Sequence, residues 1–92
     1  MNAPLDKPPL EEDTRLKISR QIQINDYPAW YQKWAWDGIV GESVIFPEPS
    51  VRTLDDAALK ALVVEAGYAD ADSRFTFARR DEWTFVNFNF RD

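Results

Sequence analysis

Among side chains that carry out proton transfer, nucleophilic attack or metal binding, this 92-residue sequence holds carboxylates, tyrosines, arginines and hydroxyls, but no histidine and no cysteine. The first absence removes the commonest general base and the commonest metal ligand. The second removes thiol nucleophiles, thiolate zinc sites, iron–sulfur ligation and disulfides. What remains is acidic. Glu11-Glu12-Asp13, Asp55-Asp56 and Asp70/Asp72 are the clusters to test. Asp70-x-Asp72-x-Arg74 opens like a calcium loop, yet it lacks the glycine at the sixth position and the later glutamate ligand. Asp37-Gly38-Ile39-Val40-Gly41 has two glycines but neither the lysine nor the spacing of a phosphate-binding loop. A glycosidase-like acid pair converges only in three dimensions and leaves no sequence signature. The expectation is therefore no catalytic residue, no cofactor and no metal. A small hydrolase or isomerase built from carboxylate, Tyr and Arg alone stands as the minor alternative.

The chemistry these residues can do best is recognition by contact. Eleven of the thirteen aromatic side chains fall within residues 27–36 and 75–90, and Trp and Tyr dominate the energetics of protein interfaces. The candidate partner-binding residues are Tyr27, Trp30, Tyr31, Trp34 and Trp36 in the first segment, with Arg79, Arg80 and Trp83 in the second. Arg79-Arg80 can grip a carboxylate or a phosphate, although Asp81 and Glu82 beside them offer local neutralisation. Two other uses compete for the same aromatics. They can make the core of a small domain, or stack on a sugar or a base.

These residues need elements to position them. Residues 16–24 alternate, with Leu16, Ile18, Ile22 and Ile24 on one side, interrupted by Arg20. Lys17, Ser19, Gln21 and Gln23 lie on the other side. This is a half-buried strand, stopped by the turn residues Asn25-Asp26. Residues 27–36 read as a short helix with Pro28 in its first turn and Asp37-Gly38 at its end. Residues 39–46 are β-rich, with Gly41 marking a bend or bulge.

A long helix is expected over residues 54–66, capped by Thr53 and closed by Gly67. Its apolar stripe is Leu54, Ala58, Leu59, Leu62, Val63 and Ala66. Two strands follow, over 74–78 and 83–90, joined by a four-residue loop at 79–82. In the last strand Val86, Phe88 and Phe90 share one side, and Trp83, Phe85, Asn87 and Asn89 the other. Residues 1–13, rich in proline, read as a flexible arm, and residues 14–92 as one domain. The expected fold is α+β, in the order β-α-β-α-β-β. A small, mostly antiparallel sheet with a C-terminal hairpin packs against one long and one short helix.

Composition bounds the function. With 45% hydrophobic residues the chain can bury a core, and its length suits one domain. A net charge of −5, from 16 acidic and 11 basic residues, disfavours direct binding to a phosphate backbone. No apolar run reaches membrane-spanning length and no signal-peptide pattern opens the chain, so no membrane partner and a cytoplasmic setting are expected. The reading that follows is a non-enzymatic protein–protein interaction domain, a small accessory, regulatory or inhibitory subunit. A homo-oligomer through the edge of the C-terminal hairpin is a further expectation. The alternative within binding is an acidic decoy that mimics phosphates and inhibits a nucleic-acid-binding protein.

Overall fold

The computed structural model describes residues 15–91; the expected arm over 1–13 lies outside the described residues. Five strands form one sheet: β1 (Arg15–Ile24), β2 (Tyr27–Trp36), β3 (Ile39–Pro47), β4 (Phe75–Arg80) and β5 (Trp83–Arg91). Between β3 and β4 run a 3-10 turn (Glu48–Val51) and the helix α1 (Asp56–Glu65). The spatial order is β1-β2-β3-β5-β4, with every neighbouring pair antiparallel. The expected order with two helices is thus corrected to three consecutive strands, one helix and a hairpin.

The error lies in residues 27–36, which form a strand, and its cause is local. Aromatic and apolar groups fill so many positions there that both a 3.6-residue and a two-residue period can be traced. The turns decide between them. Asn25-Asp26 and Asp37-Gly38 are each two-residue connections between paired strands. Asp37 (φ 51°) and Gly38 (φ 76°) both adopt left-handed backbone, the condition for a primed hairpin turn whose twist matches its strands. Asp-Gly is a helix stop only when a helix precedes it. Pro28 fits the strand because β2 pairs with β3 only from Trp30 onward, so its missing N–H breaks no ladder bond there.

The C-terminal hairpin is also tighter than expected. Arg79 and Arg80 belong to β4, and only Asp81-Glu82 form the turn, with Asp81 at φ 48°. An aspartate here does what a glycine usually does, since its short polar side chain tolerates the left-handed region. Strand β5 lies between β3 and β4, so the free edge of the hairpin is β4.

Helix α1 begins two residues later than expected. Leu54 N–H is drawn back to Val51 C=O (3.0 Å), and the cap is Asp55, whose side chain accepts from Ala58 N–H at 2.9 Å. The helix ends as anticipated at Gly67 (φ 88°). Gly67 N–H bonds to Val64 C=O and Tyr68 N–H to Val63 C=O, the paired bonds of a glycine C-terminal cap. Leu59 and Val63 pack with Ile24, Ala29, Tyr31, Val44, Phe46, Val51, Val86 and Phe88. All the core contacts of the helix are on this one side of the sheet.

Strand β5 carries the second correction. Val40 pairs with Arg91, but Glu42 pairs with Phe88, so Asn89 and Phe90 together oppose the single residue Gly41. This is a β-bulge, and Asn89 takes left-handed backbone (φ 56°) to make it. The extra residue inverts the alternation beyond it. Asn89 therefore joins Phe88 on the helix side, while Phe90 crosses to the opposite side, the reverse of the simple period-two expectation.

Candidate protein-binding surface

Strand alternation sorts the candidate residues onto two sides of the sheet. Tyr27 and Tyr31 face the helix: Tyr27 meets Phe46 edge-on at 6.2 Å, and Tyr31 stacks on Tyr68 at 5.4 Å. Arg79 also lies on this side. It donates to Val51 C=O and Leu54 C=O, with Asp56 3.8 Å away, so it clamps the start of α1 to β4. Trp30, Trp34, Trp36, Arg80 and Trp83 lie on the other side, which α1 does not cover. The eight candidates are therefore not one patch.

On the helix-free side Trp30, Ile45 and Trp83 form a second small core, with Phe85 packed against it. Trp30 and Trp83 are only 7% and 9% exposed, so they are the floor of this side rather than its contact surface. Trp34, Phe85 and Phe90 are half-buried, and Trp36 is 44% exposed beside the β2–β3 turn. Trp36 borders a shallow pocket of about 340 Å³ lined also by Arg15, Ala35, Asp37 and Gly38.

Beside this aromatic floor runs a chain of polar side chains. Trp34 Nε1 donates to Ser43 Oγ at 2.8 Å, and Ser43 Oγ donates to Asn87 Oδ1 at 2.5 Å. Asn87 Nδ2 in turn donates to Thr76 Oγ1 at 3.3 Å, so one network crosses β2, β3, β5 and β4. Further out, Gln32 Nε2 approaches Ser19 Oγ at 3.4 Å. Gly41 makes the network possible. A Cβ at that position would come within 2.6 Å of Trp34 Cζ2, so only glycine lets the indole lie across β3. From the far side Phe90, delivered by the bulge, meets Trp34 edge-to-face at 5.9 Å, with the Arg74 guanidinium over its ring.

The physical consequence is specific. Trp34, Ser43, Asn87 and Thr76 each have a side-chain partner on this side, and the β2, β3 and β5 residues that face it from Trp30 to Asn87 carry no charge. A partner that covers this surface meets several donors and acceptors that are already paired, which lowers the usual cost of burying polar atoms. Sequence reasoning identified the tryptophans but missed Ser43, Asn87 and Phe90. The signal for Asn87 is that small polar residues alternate with large apolar ones along β5, while Ser43 has no comparable pattern around it in β3. Phe90 had no such signal, because a bulge decides its side.

A second polar cluster occupies the helix side. Tyr31 Oη donates to Glu42 Oε1 at 2.5 Å, and Asn89 Nδ2 donates to Glu42 Oε2 at 2.7 Å. The Arg20 guanidinium lies 5.3 Å from the Tyr31 ring centre. Burial, then the hydrogen bond to Glu42 and its negative charge, push the Tyr31 phenol up to about 12. A phenol held so firmly protonated is a poor base near neutrality. Both Glu42 oxygens are already engaged, so this cluster locks β2, β3 and β5 together.

Among the described residues there is no group of three or more Asp and Glu side chains placed to hold a metal ion. No described helix is long and apolar enough to cross a membrane. No protein-family model, no curated protein and no solved structure matches this chain.

Proposed function

We propose that this chain is a non-enzymatic protein-binding domain that docks a partner on the helix-free side of its sheet. The observation that supports this most is the Trp34–Ser43–Asn87–Thr76 network, a run of uncharged side chains hydrogen-bonded to one another beside the aromatics, with charge confined to Arg74 and Arg80 at the β4 margin. A sugar- or base-stacking site would instead keep its polar groups free to bond the ligand. The contacts fall to Trp34, Trp36, Phe85 and Phe90, the aromatics on this side that retain exposed surface, while Trp30 and Trp83 hold the floor rigid.

The test is site-specific photocrosslinking in the cells that make the protein. A photoreactive amino acid replaces Trp36 in one variant and Ala57, exposed on the outer side of α1, in another. The expected result is a discrete protein adduct from position 36 and none from position 57. Equal adducts at both positions, or none at 36, refute the reading.

A further inference from the structure

Among the described residues strand β1 is an edge of the sheet, with β2 as its one neighbour in the strand order. It is ten residues long, against six for β4 at the opposite edge. An edge of that length presents N–H and C=O groups that a further strand can pair with. Its charge is also out of keeping with the chain. Across a protein of net charge −5, β1 contains Arg15, Lys17 and Arg20 and no acidic residue. Arg15 and Arg20 are exposed and make no ion pair among the described residues. At the other edge Arg79 is already anchored to the turn before α1 and to Asp56. Arg15 and Arg20 thus give the β1 edge positive charge that no ion pair among the described residues neutralises.

The geometry points to β1 as a docking edge for an extended acidic segment of a partner protein, added as a sixth strand. The register defines the match. Ile24 and Tyr27 flank a two-residue turn, so they exchange hydrogen bonds, and alternate residues of β1 point their backbone groups outward. Ser19 and Gln23 are two of these. Arg20 shares the helix side with Ile22 and with Ile18, which is 44% exposed. A complementary strand therefore carries a carboxylate opposite Arg20, with an apolar residue two positions away on each side. Main-chain bonds supply the attachment and the side-chain row supplies the selectivity, the division of labour in strand addition. This edge is separate from the helix-free side, so the two proposals can fail independently.

The test uses the whole chain and two blocked peptides, Thr-Val-Thr-Glu-Thr-Val-Thr and its counterpart with Lys in place of Glu. Binding is followed by NMR at low salt. The acidic peptide is expected to slow amide exchange at Ser19 and Gln23 and to bind at least about threefold more tightly than the basic one. Added salt should erode that preference. Ser19→Pro, which removes an outward N–H at an edge position that tolerates proline, should abolish binding with the far-UV spectrum retained. Arg20→Glu should reverse the order of the two peptides. No protection along β1, equal binding of both peptides, or binding to Ser19→Pro unchanged from the parent would overturn the proposal.

Discussion

Tyr31 shows how a residue picked out for one role serves another. Its ring stacks on the Tyr68 ring, the Arg20 guanidinium lies 5.3 Å from its centre, and its hydroxyl is bound to Glu42. The folded state holds the phenol protonated to about 12, against 10.0 for a free side chain. The stability from this preference is fully present below pH 10 and is lost as pH rises toward 12. With each unit worth about 1.4 kcal/mol, the loss approaches roughly 2–3 kcal/mol. Urea unfolding of the parent and Tyr31→Phe between pH 9 and 12 checks this. The parent should lose its advantage across that interval, and parallel pH dependences for the two proteins would contradict it.

At the scale of elements, β2 and β5 were the two hardest segments to read. In β2 the aromatics obscured the period, and the hairpin chemistry of Asp37-Gly38 was the stronger evidence available. In β5 the alternation was legible as far as Phe88. The inversion after it depends on Asn89 entering the left-handed region opposite Gly41, which no local pattern announces. Helix α1 was legible because a stripe, a cap and a terminal glycine all agreed, although the cap moved to Asp55. Gly41 was flagged as a bend or bulge, and the β3–β5 register does slip there, opposite Asn89 and Phe90; it also lies beneath the Trp34 ring. Gly41→Ala should displace that ring and break the Trp34–Ser43 hydrogen bond, costing about 1–2 kcal/mol. Equilibrium unfolding with tryptophan fluorescence should detect both effects, and an unchanged spectrum and midpoint would count against the described packing.

For the whole molecule, the sheet divides the work between its two sides. One side takes the helix and nearly all of the aliphatic core, while the other keeps aromatics and a closed polar network. Absence of His and Cys was readable at once, and it directed attention from catalysis to contact. Which aromatics are floor and which are surface was not readable, because that depends on strand pairing between residues far apart in sequence. The most direct measurement is the affinity of Trp36→Ala for the protein captured at position 36, made alongside its unfolding free energy. Docking on the helix-free side predicts an affinity loss of at least about tenfold, or 1.4 kcal/mol, with stability within about 0.5 kcal/mol of the parent. Unchanged affinity, or a loss of binding matched by a loss of stability, would contradict it.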